Sequence, residues 1–532
     1  MTRVTRRALL IGGLALTTVG AGSDRLSDPF TLGVASGDPT YDGVVLWTRL
    51  APTPLAEDGM GGMPSRVVEV KWEIALDERF RLVVRRGTAH ARPEFGHSVH
   101  VDVRGLLPGR EYFYRFSTEG HISRTGRTRT ALAPWAMGSG LTMAFASCSQ
   151  FEHGYFTAYR RMAEDQPDLV LHLGDYQYEY KKGVYTIPGG NPRDHEGPET
   201  ETLANYRQRH AQYKTDLDLQ EAHAVAPWLV VFDDHEVDNN WADEIPEKPE
   251  IPQPNFLARR AAAFQAYYEN MPIRNKPSGI DIQLYRRIQW GGLANFHMLD
   301  TRQYRDDQAC GDGLKSCPER LNPTRSITGA AQEKWLLDGL RRSHARWDVL
   351  GQQVFFSQLD FTPGAGESNN MDAWDGYAAN RDRVAGGFCH TRNTVVLTGD
   401  VHAAWAAEVK ERWNDPSSRT VATELVSTSV TSGGDGSETR PETPAILAEN
   451  PHVKFFNNRR GYVRTRITSR EVRADFRGLD YVRTPGAPVT TKASFVIEDR
   501  NPGGKPAACA DEGLCRERRR RGHADWRGRY GQ

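Results

Sequence analysis

Cysteine, aspartate, tyrosine and histidine recur in this chain at the ends of short apolar runs. Leu141–Ala146 leads into Ser147-Cys148. The run 168–173 leads into Gly174-Asp175, with Tyr178 three residues on. The run 228–232 leads into Asp233-Asp234-His235, and Thr394–Thr398 leads into Gly399-Asp400-Val401-His402. A single Gly-Asp or Asp-His is ordinarily a turn or a cap. Four in series at strand ends read as one metal site, because loops at the carboxyl ends of such strands gather around a common point. The donors divide by chemistry. The Cys148 thiolate is soft and favours a transition metal, the Tyr178 phenolate suits Fe(III) and not Ca(II), and iron accepts the His402 imidazole. Asp234 and Asp400 offer oxygen to a hard cation, and the two oxygens of Asp175 can bridge two cations. His235 directly follows a ligand. It is placed to meet substrate oxygen, stabilising charge or protonating a leaving group; the alternative is a strand-end histidine satisfied by backbone.

Other residues are more ambiguous. His210 and His223 flank the segment 213–216 and either reach the site mouth and bind phosphate or serve a surface or core role. Arg302 and Tyr304 end a strand, where Arg302 either contacts phosphate or forms a structural salt bridge. His172, inside an apolar strand, reads as a core histidine, while Glu236 and Asp238 read as supports behind the ligands. The stretch 428–434 reads as a polar loop near the opening, and 372–377 as a candidate wall of a substrate groove.

The elements that must position these residues fall into two parts. Between about 30 and 130, strand-like runs at 44–49, 67–74 and 100–103 precede a turn and alternating aromatics, Leu106-Leu107-Pro108-Gly109-Arg110-Glu111-Tyr112-Phe113-Tyr114-Arg115-Phe116. That pattern resembles a fibronectin type III sandwich and carries little that could serve a site. After a linker at 131–134, apolar runs alternate with helical stretches at 155–163, 203–214 and 255–268, which implies a sheet covered by helices on both faces. The last strand reads as 493–498, and the basic run Arg516–Arg521 beyond it reads as a solvated, mobile tail.

At 532 residues the chain is too long for one compact core. Its 68 basic and 68 acidic residues balance, so charge gives no argument for a nucleic-acid partner. Arg6-Arg7 ahead of the short apolar run 8–16 reads as a twin-arginine export signal, with small residues marking cleavage near 20–23. The run is too short and glycine-rich to span a membrane, and no second stretch would anchor the mature protein. In an oxidising compartment Cys310 and Cys317 would pair locally, as would Cys509 and Cys515. Cys148 and Cys389 remain, either as a ligand and a bystander or as a pair.

Gly174-Asp175-x-x-Tyr178, Asp234-His235-Glu236 and Gly399-Asp400-Val401-His402 resemble a calcineurin-like phosphoesterase site in the form used by PhoD-like alkaline phosphatases. The resemblance extends to 30–39, 46–49, 145–150, 296–305 and the leader. It implies an α+β multidomain protein: a signal peptide over 1–23, a fibronectin III-like β domain over 28–133, a four-layer αββα metallophosphatase domain over 140–500, and a tail over 501–532. It implies Fe(III) held by Cys148, Asp175, Tyr178 and His402, and Ca(II) held by Asp175, Asp234 and Asp400. The commoner calcineurin-like pattern has Gly-Asn-His and Gly-His-x-His; here Asp234 and Asp400 replace amide and imidazole, the direction a calcium site requires. The activity implied is an alkaline phosphatase with phosphodiesterase activity, hydrolysing esters with a metal-activated water or oxide to scavenge phosphate after export by the twin-arginine translocon. Its substrates would be small phosphate esters and diesters, with phospholipid or teichoic-acid-like polymer as further candidates. After export the enzyme would be secreted, periplasmic or held at the cell wall; a phospholipase D-like diesterase is one alternative, and a non-catalytic metal-containing binding module is another.

Overall fold

The structure, a computed structural model, describes residues 27–250, 253 and 255–507. The twin-arginine leader, the Cys509 and Cys515 pairing and the Arg516–Arg521 run lie outside the described residues.

Two large sheets pack face to face. The first has ten strands, in the order Asn501–Pro506, Val489–Glu498, Glu471–Leu479, Gly461–Ile467, Leu141–Ala146, Leu169–Leu173, Pro227–Val231, Val34–Thr40, Gly43–Arg49, Ser98–Arg104. The second has eight, in the order Arg286–Trp290, Ala294–Met298, Trp347–Gln352, Thr394–Thr398, Thr420–Val426, Ala404–Lys410, Val453–Arg459, Gly436–Ser437. The central strands of each run parallel, which places their carboxyl ends at one edge. Parallel strands are buried on both faces, so they read as continuous apolar runs. Phe145, Leu171 and Leu229 of the first sheet meet Phe296, Val349, Leu397 and Leu425 of the second in one buried cluster.

Helices cover the outer faces, making four layers. Thr157–Glu164 contributes Ala158, Tyr159 and Met162 to the first sheet's core, and Leu203–Lys214 contributes Tyr206 and Tyr213. On the other side, Leu336 and Leu340 of Gly329–Arg341 and Val384 of Ala378–Gly387 pack on Leu350, Val396 and Val426.

The N-terminal β segment is a two-layer sandwich. One layer consists of Val83–Ala91, Val68–Ala75, Glu111–Thr118, His121–Ile122 and Gly126–Arg129. The other is Val34–Thr40, Gly43–Arg49 and Ser98–Arg104, and between them lie Val44, Leu46, Val70, Tyr114 and Phe116. This second layer also extends the ten-stranded sheet, through parallel pairing of Ser36 with Pro227 and Gly37 with Trp228. Continuity removes two edges that would otherwise expose unpaired backbone.

The last strand is not 493–498, as the sequence suggests: Val489–Glu498 is followed by another. Arg500 turns the chain at φ 61°, and Asn501–Pro506 adds one more antiparallel strand, so the tail does not begin at 501. Its two prolines and two glycines disguise it, and an edge strand tolerates them. Cys310 and Cys317 form a disulfide, whereas Cys148 is buried and Cys389 exposed, so these two do not pair with each other.

Candidate metal centre and active site

Four strand ends from both sheets converge. Cys148 follows Leu141–Ala146, Asp175 and Tyr178 follow Leu169–Leu173, and Asp234 and His235 follow Pro227–Val231, all from the first sheet; Asp400 and His402 follow Thr394–Thr398 of the second. The chain must turn sharply at each end to aim a side chain over the edge. Cys148, Asp175, Asp400 and His402 all adopt left-handed backbone, with φ of 60°, 55°, 58° and 53°. Such conformations are costly for residues with a Cβ and cluster where surrounding structure enforces them for function. Gly174, at φ 99°, has no alternative: a Cβ there would lie 2.4 Å from the Asp233 Cβ.

Donor atoms of Cys148, Asp175 and His402 lie within 4.8 Å of one another, as do those of Asp175, Asp234 and His235, and those of Asp233, Asp234 and Asp400. Asp175 is shared between the first two groups and Asp234 between the last two. The Tyr178 hydroxyl joins the first, donating to Asp175 Oδ2 at 3.0 Å and lying 3.2 Å from His402 Nε2. One carboxylate oxygen each of Asp175, Asp233 and Asp234 is buried without any hydrogen-bond partner. Buried acceptors left unsatisfied are expensive unless something else meets them, and a cation does. Burial, reinforced by neighbouring carboxylates, pushes the Cys148 thiol, the Tyr178 phenol and the Asp175 and Asp400 carboxyls well above their ordinary values. Burial alone would raise Asp234 too, but Arg302 and His235 hold it below the ordinary carboxylate value. The pocket is therefore built for positive charge. The soft thiol, phenol and imidazole sit on one side of Asp175 and carboxylates on the other, a donor set that fits two unlike cations.

A second layer of contacts fixes these loops. The Glu236 carboxylate accepts the backbone N–H groups of Asp175 (3.1 Å), Tyr176 (2.6 Å) and Asp233 (2.8 Å), tying two strand ends together. Ser432 Oγ lies 2.7 Å from the Tyr178 hydroxyl, and Arg460 donates to the carbonyls of His402 (2.8 Å) and Ser432 (2.6 Å). The 428–434 stretch thus forms the buried floor behind the site, not a loop at its opening. Glu179 Oε2 lies 2.8 Å from His235 Nδ1, and the His235 ring lies against Tyr178 with centroids 4.1 Å apart. Burial would lower the His235 pKa, but Glu179, Asp234 and Asp175 together raise it well above the ordinary histidine value.

A cleft of about 410 Å³ opens over the site, lined by Asp175, Asp234, His235, Asp400 and His402, by Tyr180, Val184 and Tyr185, and by Asn239, Asn240, Glu247 and Lys248. Three residues proposed to bind phosphate are not among its lining. Arg302 is fully buried and donates to Asp233 Oδ1 (2.6 Å) and to both Asp372 oxygens (2.8 Å each), so the salt-bridge alternative holds. Asp372 is consequently part of that buried network, not a groove wall. His210 is fully buried with neither ring nitrogen partnered. His223 stacks on Trp228 at 3.9 Å and pairs with the Tyr176 hydroxyl at 2.9 Å. Both histidines are buried against Tyr176, the residue after Asp175, and neither lines the cleft. His172, paired with the Tyr159 hydroxyl at 2.8 Å, is the core histidine its apolar strand suggests.

Two facing sheets flanked by helices, with carboxylates gathered over their strand ends, define a phosphoesterase built around metal ions. The sequence pattern of the PhoD-like phosphatases matches residues 143–476, and that of the PhoD-like phosphatase N-terminal domain matches 17–132. Alkaline phosphatase D of Bacillus subtilis (strain 168) is 52% identical over 486 residues, spanning 90% of this chain and 82% of that protein. A solved structure of PhoD superposes with a TM-score of 0.89 at 51% identity, covering 92% of this chain and 94% of that one. The chain belongs to the PhoD-like phosphatase family, and it is a phosphoric ester hydrolase.

Proposed function

We propose that this enzyme is exported through the twin-arginine pathway and hydrolyses small phosphate monoesters and diesters with an Fe(III) and a Ca(II) ion. Supporting the reading is the division of donors about Asp175: Cys148, Tyr178 and His402 would hold iron, Asp234 and Asp400 calcium, with Asp175 between them. When bound, such a pair polarises phosphoryl oxygens and lowers the pKa of a water molecule toward neutrality.

The chain's own residues would do the rest. Glu179 occupies His235 Nδ1, which leaves Nε2 on the Asp234 side, 3.9 Å from its Oδ2. Glu179, Asp234 and Asp175 favour the protonated ring, whose Nε2–H would then face a leaving oxygen or a charged phosphoryl oxygen. Buried Arg302 balances Asp233 and Asp234 from behind, which limits mutual repulsion among the carboxylates. The cleft is mostly polar with aromatic rims, and Val184 is its one aliphatic wall residue, which favours small polar esters over lipid.

The test compares hydrolysis of p-nitrophenyl phosphate, bis(p-nitrophenyl) phosphate and phosphatidylcholine at equal enzyme, before and after EDTA and then with calcium restored. Release from the first two, abolished by EDTA and recovered with calcium, is the expected result. Preferential release from phosphatidylcholine would shift the assignment to a phospholipase D-like enzyme.

A further inference from the structure

Asn240 stands in the cleft wall with φ 47°, a left-handed conformation, and three contacts hold it there. Its backbone N–H donates to Asp234 Oδ2 at 2.9 Å. Its carbonyl accepts from Gln308 Nε2 at 2.7 Å. Its side-chain amide donates to Asp312 Oδ2 at 2.7 Å. Gln308 and Asp312 come from one segment of chain, and Asp312 lies inside the loop that the Cys310–Cys317 disulfide closes.

Besides the disulfide, a short ribbon and a few local contacts shape that loop. Cys310, Gly311 and Gly313 all have positive φ, at 57°, 79° and 92°, and Cys310, Gly311 and Asp312 are exposed. Its regular structure is a two-residue ribbon, Leu314–Lys315 against Asn369–Asn370, supported by bonds from the Met371 N–H to the Gly313 carbonyl at 3.0 Å, from the Gly311 N–H to the Gln308 carbonyl at 3.2 Å and from the Gly313 N–H to Asp312 Oδ1 at 2.6 Å, while Cys317 packs with Ala309 and Met371. A ribbon this short is not stable alone. On its other side the segment meets the buried network, because Gln308 Nε2 also donates at 2.8 Å to Asp372 Oδ1, the carboxylate that receives Arg302 and Arg305. A cross-linked surface loop is thus joined through Asn240 to a carboxylate of the site.

We infer that the disulfide-closed loop 310–317 is a positioning device for phosphate-ester hydrolysis: Asp312 and Gln308 hold Asn240, whose N–H in turn orients the Asp234 carboxylate, and the Cys310–Cys317 bond keeps Asp312 in reach. The inference rests on the reading of Asp234 as a site carboxylate. Asp312 and Gln308 act through Asn240 and touch no reacting atom. An exposed hydrogen bond contributes little to folding, so the loss falls on turnover and not on melting temperature.

The experiment measures kcat, KM, melting temperature and bound calcium for full-length Asp312→Ala, Asp312→Asn, Asn240→Ala, the Asp312→Ala/Asn240→Ala pair and Cys310→Ser/Cys317→Ser. Native enzyme and Asp312→Ala, each treated with a mild reductant, are measured alongside, in case the two-serine protein folds poorly. Asp312→Ala should lose up to about tenfold in kcat/KM, the scale of one hydrogen bond, with an unchanged melting temperature. Asp312→Asn keeps an acceptor oxygen and should restore most of the loss. Reduction should lower the activity of the native enzyme more than that of Asp312→Ala, a comparison that cancels any effect of the reductant on Fe(III). The pair should be no worse than Asn240→Ala alone, because both changes act through one residue. Full activity in Asp312→Ala, or additive losses in the pair, overturns the inference. Asp234→Asn separates the two ideas: if it remains fully active, the reading of the site itself has failed, whatever Asp312→Ala does.

Discussion

His235 owes its orientation to Glu179, a residue nothing in the local sequence marks. The strand-end donors are legible because each follows an apolar run, whereas Glu179 matters only through a partner 56 positions away. Glu179→Gln keeps the shape but loses the charge that favours protonated His235. We expect kcat to fall by about tenfold to a hundredfold, less than the roughly 10²–10⁴ of losing a general-acid group outright, because His235 itself remains, with KM nearly unchanged; steady-state kinetics on a diester chromogen checks this. Arg302, His210 and His223 show the converse. Their residue types suit phosphate, but the choice between cleft and core depends on packing among distant segments. The same core holds Lys214, whose amine donates to the Tyr176 hydroxyl at 3.0 Å and which burial lowers to about 7. Between that value and the ordinary 10.5, the unfolded chain binds a proton that the folded chain does not. Stability should therefore rise with pH through this window, by at most about 1.4 kcal/mol per pH unit. Melting temperatures should increase from pH 7 to 9 in the native protein and lose that increment in Lys214→Met.

At the scale of elements, the strand–turn junctions carry the design. Several of them are read correctly from sequence: Leu141–Ala146, Leu203–Lys214 and Thr394–Thr398 have the bounds their residues suggest. The second sheet is mostly illegible. Trp347–Gln352 contains aspartate, glycine and glutamine, and Ala404–Lys410 and Thr420–Val426 mix polar with apolar residues; all depend on neighbours in the sheet for their burial. Between the turns after Leu169–Leu173 and Pro227–Val231 the tie is Glu236. Glu236→Ala would leave the N–H groups of Asp175, Tyr176 and Asp233 unsatisfied in the interior, at about 1–3 kcal/mol for each buried donor. We expect a fall of several degrees in melting temperature together with loss of bound metal, whereas Glu236→Gln, retaining one acceptor oxygen, should be milder. Calorimetry alongside elemental analysis would register both.

In the whole molecule, the N-terminal sandwich and the catalytic layers share a sheet, which the composition change at 131–134 does not foretell. A fragment beginning at 134 would expose the Pro227–Val231 edge where Ser36 and Gly37 now pair, so it should aggregate or bind a hydrophobic dye; a soluble, active fragment would show that the sandwich is dispensable. What the two sheets accomplish jointly is to carry loop tips from separate strands to one place, three from the first and one from the second, where the proposed pair of unlike cations would sit. The visible spectrum and metal content of the folded native enzyme, set beside those of Tyr178→Phe, test this most directly. The account predicts one iron and at least one calcium per native chain, with a tyrosinate-to-iron absorption band that disappears in the variant. A native enzyme without iron, or a band unchanged in Tyr178→Phe, would contradict it.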